Sequence, residues 1–176
     1  MKKIILFWLL IFSAVRIEAG EVANVQAGPL TAMCTLSPAS DSQVKGWVKF
    51  TEKGNYVEVE GDITGLTPGK HGFHVHEKGD CSAPDAASAG GHFNPEHQDH
   101  GSPKNVIRHV GDLGNIKADK DGKASFRFKD KVIRLSGKDS IVDKALILHA
   151  DLDDMKTQPT GNAGKRVACG VIERMK

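Results

Sequence analysis

The sequence is poor in the features that mark most functional classes. It has three cysteines and no Cys-x-x-Cys pair, which removes zinc ribbons and thioredoxin-type redox chemistry. No Gly-x-Ser-x-Gly and no glycine-rich phosphate-cradling motif occurs, so neither a nucleophile elbow nor a phosphate loop is encoded. His76-Glu77 opens like the zinc-protease helix motif, but Asp80 stands where the second histidine is needed, in a segment that reads as a strand. Paired carboxylates for acid–base work have no distinctive signature. Beyond the first residues there is no basic cluster, which excludes a nucleic-acid binder, and no run apolar enough to span a membrane.

The first residues read differently from the rest. Lys2 and Lys3 form a positive start, and Ile4 to Val15 is an apolar run too short to span a bilayer comfortably. Ile17-Glu18-Ala19 offers a cleavage site before Gly20. We expect a secretory signal over 1–19, an N-terminal arm over 20–29 and one domain over 30–176; an uncleaved anchor is the competing reading. The signal suits bacterial export, to a periplasm or the extracellular space. The whole chain holds 24 Lys+Arg and 22 Asp+Glu. Removing Lys2, Lys3, Arg16 and Glu18 leaves 21 of each, a net charge near zero.

Export implies an oxidising compartment, so one disulfide and one leftover thiol are expected among Cys34, Cys81 and Cys169. The sequence alone does not choose the pair. Cys34 lies in a strand-like run, whereas Cys81 and Cys169 sit beside loops, which favours joining those two.

Alternation of polar and apolar residues, as in Tyr56-Val57-Glu58-Val59-Glu60 and Ala124-Ser125-Phe126-Arg127-Phe128-Lys129, marks half-buried strands. Further strands are expected at 30–36, 44–50, 70–77, 113–118, 145–150 and 166–173, punctuated by Lys53-Gly54-Asn55, Thr67-Pro68-Gly69 and Lys120-Asp121-Gly122. About eight short strands without a long helix give an all-β antiparallel sandwich or barrel. Two stretches, 78–112 and 150–165, have no period and are rich in Gly, Pro, Ser, Asn and His. Loops that long need a source of order, and bound metal supplies one.

Histidine is what the chain has in concentration: eight in all, six of them between residues 71 and 100. His74 and His76, two apart on a strand, share a face, while Phe73 and Val75 turn to the core. A solvated strand face is the competing reading of that pair. The long loop adds His92, His97, His100, His109 and Asp112, with His109 and Asp112 spaced to chelate across a turn. His149 ends the apolar run 145–148, where a satisfied core histidine is the bland alternative. Six or seven nitrogen ligands exceed what one tetrahedral zinc takes, so two ions are expected.

Four segments, Gly72-Phe73-His74-Val75-His76-Glu77, Gly91-His92-Phe93-Asn94-Pro95, Arg108-His109-Val110-Gly111-Asp112-Leu113-Gly114-Asn115 and Gly161-Asn162-Ala163-Gly164-Lys165-Arg166-Val167-Ala168-Cys169-Gly170, resemble the copper/zinc superoxide dismutases. The likeness runs from about residue 30 to 172. It implies an eight-stranded Greek-key β-barrel with two long loops that form the metal site and the channel. It implies superoxide as substrate, turned over by alternate reduction and oxidation of copper. By the resemblance, His74, His76, His92 and His149 would hold a copper ion. His92, His100, His109 and Asp112 would hold a zinc ion, with His92 bridging. Arg166 would dock the anion and His92 would help deliver a proton, while Thr160 narrows the channel mouth. Asp153 would link His74 to His100, His71 would be structural, and Cys81–Cys169 would match the family disulfide. His97 matches no ligand and reads as a solvated loop residue.

The chain departs from the pattern in three places. Loop 150–165 is short and its charged positions lack full counterparts, although Lys156 and Lys165 lie near. Cys81 comes early, directly after Gly79-Asp80. Glu173 and Arg174 disfavour the apolar dimer face of cytosolic members, leaving a different homodimer or a monomer. The rival readings are a non-catalytic copper-binding or copper-delivery module on the same barrel, and a zinc-buffering protein. After signal removal neither nucleic acid nor membrane is expected as a partner.

Overall fold

The computed structural model describes residues 28–176. The expected signal and most of the expected arm lie outside the described residues. Eight strands run in chain order: β1 Thr31–Pro38, β2 Lys45–Lys53, β3 Tyr56–Thr64, β4 Gly69–His76, β5 Asp112–Ala118, β6 Ala124–Asp130, β7 Ala145–His149 and β8 Arg166–Arg174. A single 3-10 turn, Ala87–Ala89, is the only helical element among the described residues. Every expected strand is present.

The strands form one antiparallel sheet in the order β5-β4-β7-β8-β1-β2-β3-β6. β3 pairs with β6 and β4 with β7, so the connections cross over rather than run as simple hairpins. The two edges, β5 and β6, approach one another and nearly close a barrel. The period of two explains the interior. Ala32, Cys34 and Leu36 of β1, Val48 and Phe50 of β2, and Val57, Val59 and Ile63 of β3 all point inward and are buried. Phe73, Leu146 and Leu148 join them from the opposite side, with Phe73 packed edge-on against Phe126 at 5.4 Å. Each large apolar side chain removed from water contributes about 1.5–3 kcal/mol.

The halves differ on their outer faces. β2, β3 and β6 carry Lys49, Lys53, Glu58, Glu60 and Arg127 outward, paired as Lys49–Glu60, Lys53–Glu58 and Arg127–Glu60. β7, by contrast, is buried on both faces. Its outward Ala145 and Ile147 pack with Ala86, Ala89 and Cys169 under the loop that follows β4. A sheet covered on both sides reads as a continuous apolar run, as Ala145 to Leu148 does.

A third irregular stretch, 131–144, also feeds the core. Ile133, Leu135 and Ile141 are fully buried. Asp130 turns the chain there, its Oδ1 accepting from the N–H groups of Val132 (2.7 Å) and Ile133 (3.0 Å).

Candidate metal centre

The register of β4 sets the first pair of histidines. With Phe73 and Val75 committed to the core, His74 and His76 must project from the other face. β7 pairs with β4, and β7 ends at His149 on the same side. The loop returns to this face through a short extra ladder: Glu77 N–H donates to Gly91 O (2.9 Å), Phe93 N–H to Val75 O (2.8 Å) and Val75 N–H to Gly111 O (2.9 Å). That pairing sets His92 opposite His76. Burial under the loops leaves His74, His76, His92, His100, His109, His149, Asp112 and Asp153 nearly inaccessible.

Two donor clusters result. His74, His76, His92 and His149 bring four ring nitrogens within 4.8 Å of one another, and His92, His100, His109 and Asp112 form a second group on the same criterion. His92 belongs to both. The sequence-expected ligands are thus all brought together, while His97 stays exposed in the loop.

Hydrogen bonds fix which nitrogen of each ring is free. His74 Nε2 donates to Asp153 Oδ2 (2.9 Å), His76 Nδ1 to Gly90 O (2.9 Å) and His149 Nδ1 to Gly164 O (3.2 Å). The opposite nitrogens, His74 Nδ1, His76 Nε2 and His149 Nε2, are buried without a hydrogen-bond partner, and so is His92 Nε2. Four uncompensated buried lone pairs aimed at one point are unfavourable unless a cation satisfies them. Burial holds His76 well below the ordinary histidine range, helped by the charge of His92. Burial also lowers His149 to about 3 and His92 to about 4, the latter against the opposing pull of Asp112. These rings are therefore neutral at pH 7 and able to ligate.

The second cluster approaches the dimensions of a tetrahedral site. Asp112 Oδ1 lies 2.8 Å from His92 Nδ1, 3.0 Å from His100 Nδ1 and 3.2 Å from His109 Nδ1. His92 Nδ1 and His109 Nδ1 are 3.4 Å apart. A tetrahedron with bonds of about 2.0–2.1 Å has edges of about 3.3–3.4 Å. Asp112 Oδ2 is occupied, accepting from the N–H groups of Gly101 (3.0 Å) and His109 (2.9 Å), which aims Oδ1 at the rings. Despite burial, the bonds from His100, His109 and His92 hold Asp112 below the usual carboxylate range. Burial pulls His100 down, but Asp112 and Asp153 outweigh it and raise it to about 9; a bound cation would take the place of that proton.

The clusters are tied together from behind. Asp153 accepts from His74 Nε2 and, through Oδ1, from His100 Nε2 (2.9 Å), one ring from each cluster. Asn115 holds Asp153 by its main chain, donating to Asp153 O (2.9 Å) and accepting from its N–H (2.8 Å). Gly161 passes so close that a Cβ there would strike the Asp153 carboxylate and His100, and its φ of 69° also requires glycine. His71 lies between His149 O (2.9 Å) and Thr67 O (2.8 Å), bracing β4 against the end of β7.

Arg166 stands beside the first cluster, and its charge is felt at His76 and His149. It donates from one terminal nitrogen to Ala86 O and from the other to Gly90 O, both at 2.7 Å. Those carbonyls belong to the loop pinned by the Cys81–Cys169 disulfide, which spans 88 residues. Cys34 is the buried free cysteine, and burial pushes its thiol pKa up.

Several supports carry no periodic signal. Asn115 and Arg108 stand inside recognised motifs without an evident role. Arg108 is buried, donating to Asp130 Oδ2 and Asp112 O, each at 2.6 Å, and so ties the turn before β5 to the end of β6.

The family model described as copper/zinc superoxide dismutase (SODC) matches residues 44–172. A Cu-Zn superoxide dismutase of Paramecium bursaria Chlorella virus 1 is 48% identical over 151 residues, covering 82% of this chain and 78% of that protein. An extracellular Cu-Zn superoxide dismutase of Haemonchus contortus is 42% identical over 160 residues, covering 88% and 85%. The solved structure of the clock protein EA4 superposes with a TM-score of 0.76 at 46% identity, covering 84% of this chain and 96% of that one. With the four motifs, the eight-stranded barrel and two donor clusters sharing one histidine, the chain belongs to the copper/zinc superoxide dismutase family.

Proposed function

We propose that this chain disproportionates superoxide: two superoxide anions and two protons give dioxygen and hydrogen peroxide. His92 carries the reading. It is the one ring shared by both clusters, with Nε2 uncommitted on one side and Nδ1 facing Asp112 on the other. An all-imidazole set suits copper, and three imidazoles with a carboxylate suit zinc. His74, His76, His92 and His149 would hold copper, and His92, His100, His109 and Asp112 would hold zinc. Bound copper supplies the one-electron change, while zinc, which has no redox chemistry, supplies charge and order.

The chain's own groups do the rest. The guanidinium of Arg166, held flat by Ala86 O and Gly90 O, keeps its remaining N–H groups for a two-oxygen anion. His92 Nε2, when not holding copper, would carry a proton and give it to the reduced anion docked on Arg166. Asp153 keeps the tautomers of His74 and His100, which would leave Nδ1 of each for a metal ion. Half-buried Thr160 would narrow the approach.

The extracellular relatives support secretion, to a periplasm or beyond the cell. Exposed Glu173 and Arg174 at the end of β8 support a monomer, or a homodimer through another face. Among the described residues no helix is long and apolar enough to cross a membrane.

Arg166→Glu tests the reading. Reversing the charge at the docking site lowers superoxide turnover by about 100-fold or more, the scale set by loss of a charge-stabilising group, with copper content unchanged. Full activity in the copper-loaded variant removes Arg166 from the mechanism and favours the copper-delivery reading.

A further inference from the structure

His100 is held in an unusual way. Its main-chain N–H donates to Gln158 Oε1 (2.8 Å), and its main-chain carbonyl accepts from Gln158 Nε2 (3.0 Å). One side-chain amide thus satisfies both main-chain groups of a residue 58 positions away. The ring of the same histidine is held at Nε2 by Asp153. Gln158 and Asp153 belong to one short loop that closes on itself. Asp154 Oδ1 accepts from the N–H groups of Lys156 (2.9 Å) and Thr157 (2.8 Å). Asp154 N–H donates to Gly161 O (2.9 Å), and Gly161 N–H to Thr157 O (2.7 Å). This compact unit grips His100 twice, by the ring and by the backbone.

We propose that Gln158 is a positioning residue for the zinc half of the site. It latches the channel loop to the backbone of His100, so that loop and ligand become ordered together. The inference rests on the zinc assignment above. Its support is the direction of the bonds. An amide that only stiffened its own loop would bond within it, but Gln158's one contact there, to Lys156 O, is long at 3.4 Å. Both short bonds go to the ligand. The latch fixes backbone and ring together, with His100 Nδ1 3.0 Å from Asp112 Oδ1. Such pre-ordering lowers the entropy lost on binding. Because the latch also holds the loop between Asp153 and Thr160, zinc retention and loop order become linked quantities.

The test uses copper-free mature protein in three forms: wild type, Gln158→Ala and Gln158→Glu. Gln158 is exposed, so the variants keep the barrel. Zinc affinity is read by chelator competition, and amide hydrogen exchange is read at His100 in the zinc-loaded protein. Gln158→Ala binds zinc about tenfold more weakly, the low end for partners outside the coordination sphere, and its His100 amide loses protection. Gln158→Glu keeps an acceptor for that N–H but not the donor to the carbonyl, so it retains His100 protection and falls between the other two in zinc affinity. Zinc affinity of Gln158→Ala within twofold of wild type overturns the proposal. So does an equal loss of stability in zinc-free and zinc-loaded Gln158→Ala, which a merely structural bond would give. A wild-type chain that binds no zinc overturns the zinc assignment itself, and the latch with it.

Discussion

The barrel has two halves built by the same alternation and put to different use. In β1, β2, β3 and β6 every second residue fills the core and the others face water, carrying exposed ion pairs such as Arg127–Glu60. In β4 and β7 the alternation is the same, but the outward positions are His74, His76, Ala145, Ile147 and His149, covered by loops. One half spends its outer face on solubility. The other buries it, and there the outward residues become candidate ligands or the apolar floor beneath the disulfide loop. Register alone thus converts an ordinary strand into half of a candidate metal site, provided something covers it.

The sharpest way to break this comparison is to substitute outward residues in each half. His74→Ala, in the covered half, removes a proposed copper ligand whose Nε2 also anchors Asp153. Turnover should fall to background and copper binding should be lost, read by metal content and superoxide decay, while the far-ultraviolet circular dichroism of the barrel persists. Stoichiometric copper in that variant would contradict the assignment.

A smaller effect comes from releasing the cover. With Cys81 and Cys169 both changed to Ser, the 88-residue closure is lost. Denaturant unfolding should show a loss of about 4–5 kcal/mol on the chain-entropy account. Activity should fall further than that stability loss explains, because Ala86 O and Gly90 O no longer hold Arg166. An active variant with unchanged metal content would mean that the loop needs no pinning.

The smallest effect belongs to the open half. Arg127→Ala removes an exposed pair and should leave the denaturant midpoint and turnover unchanged. A large shift in either would mean that the two outer faces are less separable than their burial indicates.

The same contrast explains what the sequence discloses. Most of the strands and the convergence of His74 with His76 follow from a period of two, because sheet geometry projects directly onto residue spacing, while β7 shows as a continuous apolar run. The candidate ligands in the loops follow from the histidine-rich loop and the family resemblance rather than from any period. The resemblance names Asp153 and His71, but the remaining supports follow from neither. Gln158 meets His100 across 58 residues, Asn115 meets Asp153 across 38 and Arg108 meets Asp130 across 22. Side-chain bonds over such separations leave no local pattern. The stretch 131–144 is silent for a related reason. Ile133, Leu135 and Ile141 reach the core from an irregular path set by the Asp130 turn, and an irregular path has no periodicity to read.

The central claim is that the covered face of β4 and β7 is a copper-dependent catalytic site. It is tested most directly by superoxide disproportionation with purified mature protein loaded with copper and zinc, alongside protein loaded with zinc alone. The account predicts fast turnover in the first and background decay in the second. Tight copper binding with no turnover above background would contradict it and identify the chain as a copper carrier.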